Sequence, residues 1–188
     1  MTKYEIMVTL FTVVYGLMLT DLFFSLHKLI RKYNSIKWHW LPLLAAWYLF
    51  LIILKNWWDI TSFENNVEWM NIIYFLAYGH LLVLIFLAVS SVLPDDINLN
   101  GFLLKEYYFS NHRYFWGIMS SIVFVALAIG IFKNYQLGNE VNYFNILANC
   151  ILFLFTLILA ISNRYFVHSV IQIILVVVVL FEILSKSI

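Results

Sequence analysis

Six stretches of largely apolar residues, each close to the length a helix needs to cross a hydrocarbon core, leave this chain few ways to fold. They cover roughly 5–27, 41–58, 69–93, 114–132, 143–162 and 166–184. A helix satisfies its own backbone N–H and C=O groups, which lipid cannot do. The pattern therefore predicts an all-α fold, a polytopic transmembrane helical bundle of six transmembrane helices forming a single domain over 1–188. Composition bears on this at one point. Only 11% of the chain is charged and 64% is hydrophobic, against about 25% charged in a soluble domain. Such a chain cannot cover a water-facing surface, so the lipid bilayer is its expected environment.

The ends of the segments carry matching signals. The first closes in a basic run, Lys28, Arg31, Lys32 and Lys37. The second opens on Trp38-His39-Trp40-Leu41-Pro42 and closes on Asn56-Trp57-Trp58-Asp59. Paired indoles at both ends of one span form an aromatic belt at headgroup level, and proline suits a first helical turn because it has no N–H to leave unpaired. The third stops at Pro94-Asp95-Asp96. The stretch Glu106 to Trp116 mixes charge with aromatics and is expected to lie in the interface ahead of the fourth span. The fifth and sixth are joined only by about Asn163 to Tyr165, which forces an antiparallel hairpin.

Orientation follows from Lys and Arg in short loops. If the first loop is cytoplasmic, Lys28, Arg31, Lys32, Lys37, Lys105, Arg113 and Arg164 lie inside, and Lys3, Lys55, Lys133 and Lys186 outside. This places a multi-pass protein in the cell's inner (plasma) membrane with both termini outside. The first segment lacks a basic leader and a small-residue cleavage site, so it is expected to persist as a helix. A net charge of +1 supplies no basic face, so no nucleic-acid partner is expected. Cys150 is the only cysteine, which excludes an intramolecular disulfide, and it reads as packing within an apolar run.

Polar residues recur inside the apolar segments. Glu5, Thr9, Thr12, Gly16, Thr20 and His27 share one face of the first helix, with Asp21 off that face. Asn142, Asn145, Asn149 and Thr156 share one face of the fifth, and His168, Gln172 and Glu182 one face of the sixth. His80 lies near the middle of the third. Such stripes are expected to face other helices or a water-filled cavity, and a midplane ionisable group is a functional candidate by default. Glu5, Thr9, Thr12, Thr20, Asp21, His80, Asn145, Asn149, His168, Gln172 and Glu182 are therefore the candidates for a pathway or ion site. Taken singly, the threonines and asparagines equally suit interhelical hydrogen bonding.

His27, His39, His112 and His168 fall at one end of the bundle and are the candidates for a metal. No pair has the His-x-x-x-His spacing that sets two ligands on one helix face, so no metal is assigned. A bis-histidine haem needs two axial ligands at one depth, which His80 lacks, so no cofactor is expected. No serine–histidine–acid set lies at one depth, and neither Gly-x-Ser-x-Gly nor His-Glu-x-x-His occurs, so no catalytic residue is assigned. Gly117, Ser120 and Ser121 on the fourth span would permit close helix approach and make a homo-oligomer an expectation.

The motifs Gly16-Leu-Met-Leu-Thr-Asp21, Ser25-Leu-His-Lys28, Trp38-His-Trp-Leu-Pro42, Trp57-Trp58, Leu93-Pro-Asp-Asp96 and Tyr107-Tyr-Phe with Arg113-Tyr-Phe resemble an uncharacterised group of small bacterial six-helix integral membrane proteins. The resemblance spans most of the chain and implies the fold without an activity. From the residues, two functional readings follow. One is a small channel or transporter for protons, a cation or a small polar solute along a path lined by the three stripes and His80. The other is a non-transporting membrane subunit, sensor or effector module whose stripes hold helices together. A hydrated cavity lined by Thr9, Thr12, His80 and Asn149 would favour the first, and a dry centre the second.

Overall fold

A computed structural model of the protein describes residues 3–61, 72–95, 102–137 and 143–185. Its helices are α1 (Lys3–Arg31), α2 (Trp40–Thr61), α3 (Ile72–Val92), α4 (Leu104–Leu137), α5 (Tyr143–Ile161) and α6 (Tyr165–Ser185). All six are long and apolar enough to cross a bilayer. They form a ring in which α1 packs on α3, α3 on α4, α4 on α5, α5 on α6, α6 on α2 and α2 on α1. The most buried of them, α2, also touches α3 and α4. The centre is apolar. Met18, Leu49, Ile53, Ala88, Met119 and Leu175, drawn from five helices, are each at most 1% exposed.

Two short strands, β1 (Ile36–Lys37) and β2 (Phe102–Leu103), pair in parallel with Ile36 opposite Phe102 and Lys37 opposite Leu103. They tie the chain after α1 to the start of α4, a link that apolar periodicity does not announce. The same end holds α1 to the end of α3. Ser25 Oγ donates to Asp95 Oδ1 at 3.3 Å, and Lys28 Nζ lies 3.8 Å from that oxygen.

The aromatic stretch expected to lie in the interface is instead the first three turns of α4. That helix runs unbroken for 34 residues, about 50 Å at 1.5 Å per residue. The reason is packing: Leu104, Tyr108, His112, Phe115, Met119 and Ile122 recur at steps of three or four and are all buried. One inward face therefore continues from the charged segment into the span.

At the start of α2, His39 precedes the first helical residue and its Nδ1 accepts the Leu41 N–H at 3.3 Å. The ring thus caps one of the unpaired amides of the first turn, and Pro42 has none to satisfy. Partial burial, and then the Lys105 cation, hold the His39 imidazole below its ordinary pKa. The unfolded chain therefore binds the proton more readily than the folded one. The stabilisation is complete above the ordinary histidine value near 6.5 and is lost as pH falls through the lower folded value. Thermal unfolding of the wild type should drop as pH is lowered below about 6.5. In His39→Asn, where the amide can still cap, that part of the profile should flatten. Identical slopes in the two proteins would rule out His39 as its source.

Candidate functional site

The side chains of the α1 stripe point away from the bundle. Glu5, Thr9, Thr12, Gly16, Thr20 and His27 are all exposed, while Phe11, Tyr15, Met18, Leu22 and Leu29 occupy the buried face. The expectation that this stripe turns inward is corrected here, for two physical reasons. The opposite face offers larger apolar side chains to the core. The threonines also satisfy themselves: Thr9 Oγ1 donates to the Glu5 carbonyl at 2.7 Å and Thr20 Oγ1 to the Gly16 carbonyl at 2.8 Å. Thr12 Oγ1 accepts the Trp57 indole N–H at 3.3 Å. Asp21 accepts from the Ser90 hydroxyl at 3.3 Å.

His80 is exposed, on the face of α3 that also carries exposed Leu76 and Val83. The three stripes and this histidine do not converge, so the expected arrangement around a midplane imidazole is not the one the fold builds. On α5 the stripe descends from exposed Asn145, through partly exposed Asn149, whose amide donates to the Asn145 carbonyl at 2.8 Å, to fully buried Thr156. Asn142 lies outside the described residues. On α6 the expected face does turn inward: His168, Gln172, Leu175 and Val179 are buried. Glu182, near the end of α6, meets Lys55 of α2, with its Oε1 3.0 Å from Nζ.

What the fold assembles is a polar cluster between α4 and α6. Tyr108, His112 and Trp116 come from α4, and His168 and Gln172 from α6, all at most 4% exposed. Buried polar groups are costly unless paired, and here most of the pairing can be followed atom by atom. Trp116 Nε1 donates to the Tyr108 hydroxyl oxygen at 2.8 Å, and the Gln172 amide nitrogen donates to the same oxygen. Two donors fill its two lone pairs, leaving the phenolic proton to donate to His168 Nδ1, 2.6 Å away. Nδ1 is therefore the bare nitrogen. The proton sits on Nε2, which donates to the Ser162 carbonyl in the α5–α6 turn at 2.7 Å. One neutral tautomer is selected by four neighbours. Phe109 closes over the ring edge-on at 5.3 Å between centroids.

His112 lies beside this network, its ring centroid 5.3 Å from that of His168. Its Nδ1 donates to the Phe109 carbonyl at 2.7 Å. Its Nε2 and the Gln172 carbonyl oxygen Oε1 are buried acceptors that meet no hydrogen-bond partner among the described residues. A void of about 10 Å³ borders His112, Tyr108, Asn111 and Ser91, close to the room one water molecule occupies. Water there would donate to the imidazole and remove most of the cost of that orphaned nitrogen.

The network constrains the chemistry available. A proton arriving at Tyr108 finds only the Trp116 and Gln172 N–H donors beyond it, and neither can pass one on. The chain of hydrogen bonds is thus a closed clasp joining α4, α6 and the α5–α6 turn. His112 and His168 are brought together, whereas His27 is exposed and His39 stacks on Trp40 and meets Tyr165 edge-on. Among the described residues, no group of three or more His, Cys, Asp or Glu side chains is placed to hold a metal ion. Tyr108 and Trp116 are the members that reading the sequence missed. Their signal was present in the four-residue helical spacing Tyr108, His112, Trp116.

No family model matches the chain, and neither the curated proteins nor the solved structures compared with it yield a match. The fold by itself defines the class: a multi-pass, all-α integral membrane protein of six apolar helices.

Proposed function

We propose that this protein is a non-transporting membrane subunit, a scaffold of the cell's inner (plasma) membrane that associates with another membrane helix through the outward face of α1. The observation that carries the reading is the apolar centre. Met18, Leu49, Ile53, Met119 and Leu175, from four helices, are each at most 1% exposed, and close packing of such side chains argues against a conduit through one protomer. Tyr108, His168 and Gln172 act as an interhelical clasp, as such groups commonly do in lipid, while buried Ser91, Ser120 and Thr156 bond carbonyls of their own helices. The α1 stripe is the longest polar row that the fold turns outward, alongside His80 of α3 and Asn145 of α5. Among the described residues a Cβ added at Gly16 would meet nothing within 4 Å, as at Gly79, Gly117 and Gly130, so the exposed middle of the α1 stripe leaves room for a second helix. A second copy of the chain is the simplest partner. The sequence places the expected homo-oligomer contact at Gly117, Ser120 and Ser121 of α4, but Ser120 is buried within the protomer, so this reading moves the contact to α1. Both termini lie outside in this reading, because the chain joining α1 to α2 carries the basic run.

One observation favours a second reading, a channel or transporter whose path lies between protomers: Glu5, Thr9, Thr12 and Thr20 would line it if α1 helices faced one another. A single experiment separates the two. Purified protein is placed in liposomes, with orientation checked by labelling a single cysteine at Lys32, and flux of protons, cations and small polar solutes is recorded under set voltage and pH gradients. The scaffold reading expects flux no greater than in protein-free liposomes, and loss of cross-linked oligomer in Gly16→Leu. Wild-type flux that vanishes in Gly16→Leu would establish the inter-protomer path instead.

A further inference from the structure

A groove of about 400 Å³ opens between α2 and α6 at the end of the bundle that carries Tyr4 and Ser185. Its size falls within the range of small-molecule sites, about 300–1,000 Å³. Leu51 and Leu54 of α2 and Leu180 and Ile183 of α6 form apolar walls. Its polar lining is Lys55 and Asp59, with Nζ 3.5 Å from Asp59 Oδ2, and Glu182 stands behind Lys55 with its Oε1 3.0 Å from the same Nζ. Trp57 and Trp58 complete the lining, and the Trp57 indole N–H is tethered to Thr12 of α1.

We propose that this groove is a binding site for a phospholipid with a zwitterionic, amine-bearing headgroup. The inference stands apart from the subunit reading. An apolar trough that ends in an ammonium flanked by two carboxylates presents both signs of charge beside hydrocarbon. A headgroup with both a phosphate and an ammonium is its complement. The phosphate reaches Lys55 in a charge-assisted contact, and the lipid ammonium reaches Asp59, Glu182 and an indole face. The acyl chain lies along the leucine and isoleucine walls, and the indoles sit at the headgroup depth they favour. A purely anionic headgroup would meet one cation and two repelling carboxylates.

The test is native mass spectrometry of the full chain released from nanodiscs holding equal amounts of phosphatidylethanolamine and phosphatidylglycerol. The wild type should retain phosphatidylethanolamine severalfold over phosphatidylglycerol. Leu54→Trp fills the trough without touching the charges and should lose the retained lipid. Glu182→Gln should keep a lipid but lose most of the preference. Equal retention of the two lipids by the wild type would overturn the proposal. So would a preference that survives Leu54→Trp, a variant whose result holds even if Glu182→Gln does not fold.

Discussion

Tyr108→Phe should be among the most destabilising conservative changes in this protein. The phenol satisfies Trp116 Nε1, the Gln172 amide nitrogen and His168 Nδ1 at once. Removing one oxygen leaves three buried groups short of a partner. Stranding a buried polar group costs about 1–3 kcal/mol. Sharing between neighbours and tautomer exchange at His168 make the sum less than additive, so a loss of roughly 2–6 kcal/mol is expected. Tyr107→Phe is the matched control. Its hydroxyl donates to the Ser91 carbonyl at 3.0 Å and also pairs with the Asn111 side chain, each such bond worth about 1 kcal/mol, and it leaves no network of buried donors behind. Reversible unfolding of both variants in the same detergent compares them directly. Equal losses would mean that the clasp between α4 and α6 is not a principal support of the fold.

The second large effect is expected at Leu49, fully buried in the middle of α2. Leu49→Ala removes packing, at about 2–5 kcal/mol. Leu49→Asp adds a charge at the membrane centre, a further cost of about 3 kcal/mol on insertion scales. In a dry bundle the alanine variant should be recovered folded but weakened, and the aspartate variant lost, as read from elution of the solubilised protein. Folded Leu49→Asp at wild-type yield would mean that water reaches the centre, and the subunit reading would give way to a conduit within one protomer.

Both experiments bear on how the polar residues were sorted. The α1 and α6 stripes look alike in sequence, each a row of polar residues at helical spacing. The fold turns one outward and the other inward. Thr9 and Thr20 bond their own helix and tolerate lipid. His168 and Gln172 carry larger polar heads, whose hydrogen bonds run to Tyr108 and the Ser162 carbonyl. A threonine can close its hydrogen bond within one turn, whereas the His168 ring nitrogens reach beyond the helix they stand on. That difference in reach, absent from a count of polar positions, separates Thr9 and Thr20 from His168 and Gln172, while His27 of the α1 row stays exposed. His80 shows the same limit: its depth along α3 was readable, but its azimuth depended on which side of α3 met α1 and α4.

The number and order of the helices follow from the chain alone, because a bilayer accepts only backbone that satisfies itself over about 20 apolar residues. The short α5–α6 turn likewise forces those helices to be neighbours. The rest belongs to tertiary structure. Lipid is as apolar as leucine, so hydrophobicity separates buried from exposed faces poorly within a membrane. Helix rotation is set instead by packing and by polar side chains that must find partners. The pairing of β1 with β2, the continuation of α4 through its aromatic start and the meeting of Tyr108, His112 and His168 all depend on contacts between residues far apart in sequence. No local pattern encodes those contacts.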